Sequence, residues 1–159
     1  MSLSTDNISG LMAGKRGLIM GVANDKSIAW GIARAAAAAG AEVAFTFQGE
    51  ALEKRVRPLA ESVGSNIVLP CDVTDAASMD AVFETLKEKW GKLDFVVHAI
   101  GFSDKNELRG RYVDTSPENF ALSMNISVYS FTAIAQRAEK LMTDGGSLLT
   151  LSYYGAEKV

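Results

Sequence analysis

Five short runs of apolar and β-branched residues recur along the chain, separated by segments with helical spacing or many alanines. Such runs predict buried strands, because a strand covered on both faces needs apolar side chains on both. The predicted strands cover residues 16–21, 42–47, 66–69, 93–98 and 147–152. The predicted helices cover residues 27–39, 51–63, 75–90 and 117–142, with a polar, irregular connection over residues 106–116.

The alternation of strands and helices predicts an α/β fold, a doubly wound parallel sheet of the Rossmann type. We expect the strand order 3-2-1-4-5. Residues 1–159 are interpreted as the N-terminal, dinucleotide-binding part of a single domain. In such a sheet ligands bind beyond the carboxyl ends of the strands, at the switch point between strands one and four. The strand ends are therefore the first places to search for a site.

Composition narrows the classes of function. The net charge of −3 provides no basic field that would attract nucleic acid or an anionic membrane. The sequence has neither a secretory signal pattern nor an apolar run of about 20 residues, so we expect a cytoplasmic protein. Its one cysteine, Cys71, excludes an intramolecular disulfide and a multi-cysteine metal site, and we expect no metal. We interpret Cys71 as a small buried apolar residue.

The turn after strand one runs from Gly21 to Gly31 and leads into the first helix. Glycine lets the backbone approach a ligand, and a helix N-terminus offers free N–H groups that suit a pyrophosphate. Ser27 is a candidate N-cap and could add a hydroxyl donor. Because the turn lacks the G-x-G-x-x-G fingerprint, its spacing alone leaves nucleotide binding and a plain strand–helix turn both open.

The ends of strands two and three carry polar side chains. Neutral Gln48 stands where dinucleotide-binding folds often have an acidic residue for the ribose hydroxyl. Since no arginine adjoins it, and Lys54 and Arg55 come later, the pattern favours NADH over NADPH. Alternatively, Gln48 is a solvent-facing turn residue. Asp72 could accept a hydrogen bond from adenine, or cap the next helix in competition with Asp75.

The ends of strands four and five also carry candidate site residues. Small residues after His98 would let a flat ring system lie across the sheet, and the lone histidine is interpreted as structural because a metal site needs several ligands. Asn125, inside the long predicted helix, either bridges to strand backbone or faces solvent. Tyr153 could donate a hydrogen bond to a carbonyl that accepts a hydride, or form an ordinary aromatic pair with Tyr154.

Six segments resemble the short-chain dehydrogenase/reductases, and more closely the bacterial NADH-dependent enoyl-[acyl-carrier-protein] reductases. The resemblance runs from about residue 14 to the last residue. The most specific segments are GVANDKSIAWGIA (21–33), AFTFQ (44–48), CDV (71–73), HAIGF (98–102), NISVYSF (125–131) and LLTLSYYGAEK (148–158).

Position by position, the resemblance implies which residues contact the substrate, belong to the active site or hold the cofactor. Ser103 falls where the family contacts substrate, and Tyr153 matches the first of two tyrosines of the active site. Ala99 stands where serine is frequent and Tyr154 where leucine is frequent. The residues implied to hold NADH are Gly21, Ala23, Ser27, Ile28, Gln48, Asp72, Val73, Ala99, Ile100 and Gly101.

The implied reaction is NADH-dependent reduction of the trans-2 double bond of an acyl thioester on acyl carrier protein, in fatty acid biosynthesis, by a homotetramer. The family continues past a GAEKV-like segment with a second tyrosine and a lysine, spaced Y-x₆-K. Because this chain stops at Val159, we expect a piece of a longer protein that is inactive alone. A ketone reductase (Y-x₃-K), a non-catalytic dinucleotide-binding module and an interaction domain stay open as alternatives.

Overall fold

A computed structural model describes residues 10–158 and shows a five-stranded sheet between two layers of helices. The strands are β1 (Arg16–Met20), β2 (Glu42–Phe47), β3 (Val68–Pro70), β4 (Phe95–His98) and β5 (Ser147–Thr150). The helices are α1 (Ile28–Ala38), α2 (Glu50–Ser62), α3 (Ala76–Trp90), α4 (Pro117–Met124) and α5 (Ser130–Ala138). All pairings are parallel and the order is β3-β2-β1-β4-β5, which confirms the predicted fold class and strand order.

Two apolar clusters, one on each face of the sheet, form the core. Along β1, Leu18 and Met20 join the cluster under α3 and α5, whereas Ile19 joins the cluster under α1 and α2. This alternation follows from the two-residue period of a strand. Coverage on both faces explains why β1, β2 and β4 are apolar along nearly their whole length.

The helical segment predicted over residues 117–142 is confirmed as far as Ala138, but it contains a π-helical turn at Asn125–Tyr129 between α4 and α5. The N–H of Ser130 donates to the carbonyl of Asn125, five residues earlier, and its hydroxyl donates to the carbonyl of Ile126 at 2.6 Å. A π-bulge inserts one residue without stopping the helix, so helical spacing does not reveal it.

Four strands also differ from the prediction at their ends, and β1 ends at Met20 rather than at residue 21. The edge strand β3 includes Pro70, which an edge tolerates because it needs no N–H on its open side. β4 begins at Phe95 rather than at residue 93. β5 ends at Thr150 rather than at residue 152, since Thr150 already pairs with His98, the last residue of β4.

Candidate functional site

A cleft of about 350 Å³ opens at the carboxyl edge of the sheet, above the ends of β1 to β4. We refer to it as the sheet-edge cleft. The apolar side chains of Val22, Leu52 and Ile126 form part of its lining. Eight of the residues implied to hold NADH line it as well: Gly21, Ala23, Gln48, Asp72, Val73, Ala99, Ile100 and Gly101.

Gly21 lies where the ends of β1 and β4 meet. Its φ is +96°, and a Cβ there would lie 2.0 Å from the carbonyl oxygen of Ala99. Sequence reasoning attributed this glycine to the approach of a ligand. The structure adds a nearer cause, because the backbone of Ala99 leaves no room for a side chain. Glycine therefore allows the two strand ends at the switch point to pack together.

Ser27 occupies the N-cap position of α1, as predicted, but its side chain does not cap the helix. Its Oγ accepts hydrogen bonds from the N–H groups of Ala23 and Asn24, both at 3.0 Å. The hydroxyl thus closes the turn after β1 and keeps its own hydrogen for another acceptor. Neither Ser27 nor Ile28 lines the sheet-edge cleft, and Ile28 is 69% exposed at the start of α1.

Gln48 and Asp72 bridge the ends of β2 and β3. The amide of Gln48 donates to Asp72 Oδ2 at 3.0 Å, and the N–H and hydroxyl of Thr74 donate to Oδ1 at 2.8 and 2.6 Å. These bonds, those from Thr74 first, lower the pKa of Asp72. One alternative is therefore wrong, because Asp75, not Asp72, caps α3 by accepting from Ala77. Gln48 is exposed, which agrees with its solvent-facing alternative, and it also bonds Asp72.

Cys71 and His98 behave as structural residues. Burial, together with the neighbouring charge of Asp72, raises the pKa of the Cys71 thiol to about 11. His98 is fully buried, its Nε2 lies 2.7 Å from Ser130 Oγ, and burial lowers its pKa, so the ring is neutral. Asn125 is exposed, which agrees with the solvent-facing alternative.

A second cleft, of about 490 Å³, lies between α4 and the connection over residues 102–116. We call it the α4 cleft. Phe102 lines both clefts. Its backbone N–H donates to Ser127 Oγ at 3.1 Å, and the Ser127 hydroxyl donates to the Phe102 carbonyl at 3.2 Å. Apolar atoms form most of the lining surface, and the polar residues that line it are Ser103, Glu107, Arg111, Thr115, Asn119, Ser123 and Ser127.

Sequence reasoning identified Ser103 but missed Asn119 and Ser123. The sequence does contain a clue to Asn119, because asparagine is mildly disfavoured inside a helix and its presence there indicates a specific contact. That clue was applied to Asn125, which turns out to face solvent. Only the fold shows that residue 119, sixteen positions from Ser103, lies beside it.

Tyr153 is not brought to either cleft. It lies three residues beyond β5, its side chain is 89% exposed, and Tyr154 beside it is 66% exposed. Within residues 10–158, no group forms a hydrogen bond with the Tyr153 side chain. Its assignment as the oxyanion donor stays a prediction.

Neither a metal cluster nor a membrane helix emerges from the described residues. Within residues 10–158, His, Cys, Asp and Glu nowhere gather in groups of three or more that could hold a metal ion. None of the helices in that range combines the length and the apolarity that crossing a bilayer requires.

The sequence model of the family described as "Enoyl-(Acyl carrier protein) reductase" matches residues 21–159. The chain is 70% identical to enoyl-[acyl-carrier-protein] reductase [NADH] 1 of Rhizobium meliloti, over 95% of this chain and 56% of that protein. It is 58% identical to enoyl-[acyl-carrier-protein] reductase [NADH] FabI of Rickettsia bellii, over 95% and 58%. The chain thus spans less than two thirds of the length of these relatives.

Solved structures give the same result. An Anaplasma phagocytophilum reductase in complex with NAD superposes with a TM-score of 0.91 at 67% identity, covering 95% of this chain and 58% of that one. A Bacillus cereus reductase with NADP⁺ and an indole naphthyridinone superposes with a TM-score of 0.90 at 49% identity, covering 94% and 59%.

Proposed function

The chain belongs to the enoyl-(acyl carrier protein) reductase family, and from this premise we propose that its full-length protein reduces the trans-2 double bond of an acyl thioester with NADH. Full-length protein here means the complete product of the reading frame that encodes these residues. The observation that carries the proposal is the sheet-edge cleft, which gathers eight of the predicted cofactor residues at the switch point of the sheet.

The two ends of this cleft suit the two ends of a dinucleotide. At the β2–β3 end, the carboxylate of Asp72 and the amide oxygen of Gln48 provide acceptors for the adenosine half. At the β4 end, the small residues Ala99 and Gly101 leave room for a flat nicotinamide ring. The start of α1 offers N–H groups to the pyrophosphate between them.

The charge of Asp72 supports NADH rather than NADPH. A 2′-phosphate at the β2–β3 end would approach a carboxylate whose lowered pKa keeps it ionised at neutral pH, and like charges repel. Gln48 is neutral and supplies no compensating positive charge. We therefore expect a higher kcat/KM with NADH, although a Bacillus cereus relative has been crystallised with NADP⁺.

When bound, NADH supplies the hydride that adds to the β-carbon of the thioester. Negative charge then develops on the thioester oxygen, and a hydrogen-bond donor placed there stabilises it. Tyr153 is the residue of this chain that we assign to that role, because a phenol hydroxyl can donate. Ser103, in the adjoining α4 cleft, is assigned to substrate contact.

Presentation of the thioester on acyl carrier protein and assembly as a homotetramer belong to the same proposal. The apolar side chains of Phe120, Val128 and Tyr129 are half exposed or more along α4 and the π-turn, which supports association with other copies. Light scattering of the full-length protein would measure the mass and so test the oligomer.

The reaction is tested by the loss of NADH absorbance when the full-length protein meets a crotonyl thioester. We expect turnover with NADH and slower turnover with NADPH. An acetoacetyl thioester serves as the matched ketone. Reduction of the ketone and not of the double bond would contradict the proposal.

A further inference from the structure

Three of the polar residues that line the α4 cleft touch one another. Ser103 Oγ lies 3.2 Å from Asn119 Nδ2 and 3.0 Å from Ser123 Oγ. Asn119 is only 7% exposed and precedes Ser123 by one turn of α4. A few convergent polar groups in a cleft whose surface is mostly apolar are typical of a site that orients one polar group of a ligand.

The amide of Asn119 has one orientation that satisfies its neighbours. The backbone N–H of Asp104 can only donate, and it lies 2.9 Å from Oδ1 of Asn119. That atom is therefore the acceptor of the amide, and the NH₂ group at the other end donates to Ser103 Oγ. The position of Asn119 is itself fixed, since its backbone N–H donates to Ser116 Oγ, the N-cap of α4.

Ser103 Oγ accepts a second hydrogen bond from Ser123. The alternative acceptor for Ser123, Oδ1 of Asn119, is farther away at 3.5 Å. A hydroxyl oxygen accepts two hydrogen bonds, so the oxygen of Ser103 is saturated. Its hydrogen is not well used, because Oδ1 of Asn119 lies 3.4 Å away, beyond the range of about 2.5–3.0 Å that such bonds prefer.

We propose that Ser103 acts only as a hydrogen-bond donor, to a carbonyl oxygen of the bound substrate other than the thioester oxygen assigned to Tyr153, and that Asn119 and Ser123 are positioning residues that impose this direction on it. The inference rests on the proposed function, because it assigns a bond within that same substrate site. A carbonyl is the matching group, since it accepts and cannot donate. An N–H or ammonium group of a ligand would meet a saturated oxygen.

Two substitutions in the full-length protein test the direction of this bond. Ser103→Ala removes the donor. Asn119→Asp keeps Oδ1 for Asp104 but replaces the NH₂ group with an oxygen, so the Ser103 hydroxyl must turn inwards to donate to it. For each variant we expect KM for a crotonyl thioester to rise about three- to tenfold, the worth of one neutral hydrogen bond. We expect kcat within about twofold and unchanged NADH affinity.

The double variant separates this mechanism from a merely structural role. If both residues act through one hydrogen, Ser103→Ala with Asn119→Asp should raise KM no more than Ser103→Ala alone. Ser62→Ala, an exposed serine at the end of α2, is the matched control and should change nothing. If Asn119→Asp does not fold, Ser103→Ala alone still decides, since an unchanged KM would overturn the inference.

Multiplying effects in the double variant would overturn the inference, because the two residues would then act independently. A loss of NADH affinity in Asn119→Asp would overturn it as well. Failure of the wild-type protein to turn over the thioester would contradict the proposed function and this inference together. Turnover by the wild type with an unchanged KM in Ser103→Ala would overturn this inference alone.

Discussion

The carboxyl ends of β1 to β4 and the carboxyl end of β5 are built in different ways. At the first four strands, the site residues are held by contacts within the chain, such as Gly21 against Ala99 and Gln48 bonded to Asp72. At β5, Leu149 is 43% exposed on the strand, and Tyr153 is almost fully exposed beyond it. The groups that would fix Tyr153 do not occur among residues 10–158.

This difference separates binding from chemistry. The proposed cofactor half of the site is preorganised by loop hydrogen bonds and by apolar burial on both faces of the sheet. The proposed donor to the substrate oxygen is not preorganised by the described residues, and a donor that must reorganise during the reaction stabilises charge poorly. NADH binding should therefore depend on the first region, whereas reduction should depend on both.

The largest expected effect comes from testing both regions in the 159-residue chain alone, where Tyr153 is almost fully exposed. Expressed alone, residues 1–159 should show no measurable turnover of a crotonyl thioester, since loss of one preorganised donor commonly costs about 10²–10³ in rate. The exposed leucines of β5 should also make the chain associate, which light scattering detects. Turnover by the purified 159-residue chain would show that the comparison is mistaken.

Removing the hydroxyl of Tyr153, just beyond β5, should reproduce much of this loss of turnover. Tyr153→Phe in the full-length protein keeps the ring and removes the hydroxyl, so we expect kcat to fall by about 10² or more while NADH affinity holds.

Tyr154→Phe is the matched control, and kcat should stay within about twofold, well under 1 kcal/mol. If only the Tyr154 change is costly, the assignment of Tyr153 fails and the active tyrosine is its neighbour. If neither change lowers kcat, the donor lies elsewhere in the protein.

The same division separates what the sequence could predict from what it could not. Periodicity places the strands, because burial on both faces makes β1 and β4 apolar nearly throughout. Strand ends then locate Gly21, Gln48 and Asp72, since parallel strands bring their carboxyl ends to one edge. These predictions depend on local pattern and on a general rule of topology.

Contacts between distant residues could not be predicted. The bond from Gln48 to Asp72 joins residues 24 positions apart, and the spacing of neither strand indicates it. The π-turn leaves the helical pattern almost unchanged. Asn119 could not be assigned because its role depends on Ser103, which reaches it only after the connection over residues 102–116 folds back.

A smaller effect tests the nicotinamide end of the first region. Gly101→Trp should weaken NADH binding at least about tenfold, because the indole would occupy the space proposed for the ring. The fold should survive, since a Cβ at Gly101 would meet only Ser127 Oγ, at 3.9 Å. Fluorescence titration measures the affinity, with Gly31→Trp on the exposed side of α1 as control. Equal affinity in both variants would place the ring elsewhere.

The smallest expected effect is on the stability of the protein without cofactor, and it depends on the charge of Asp72 at the ends of β2 and β3. The pKa of Asp72 in the folded protein lies below its ordinary value of 3.8, because Thr74 and Gln48 donate to the carboxylate. A lowered folded pKa contributes stability that is fully present above the unfolded pKa and is lost as pH falls through the folded pKa. The hydrogen bonds of this carboxylate are exposed to solvent, so the contribution is small.

Asp72→Asn removes this contribution, and urea midpoints of the full-length protein compare the two. Wild type should be the more stable at neutral pH, by a constant margin down to about pH 5, and the margin should shrink below about pH 4 as the carboxylate is protonated. Asp144→Asn, in the exposed turn before β5, is the matched control for the loss of one carboxylate. Because no cofactor is present, a shrinking margin for Asp72 alone would mean that the β2–β3 bridge exists before NADH arrives. Parallel midpoints for wild type and Asp72→Asn down to about pH 3 would mean that the bridge does not stabilise the fold, and that the preorganisation of the first region ends at the turn after β1.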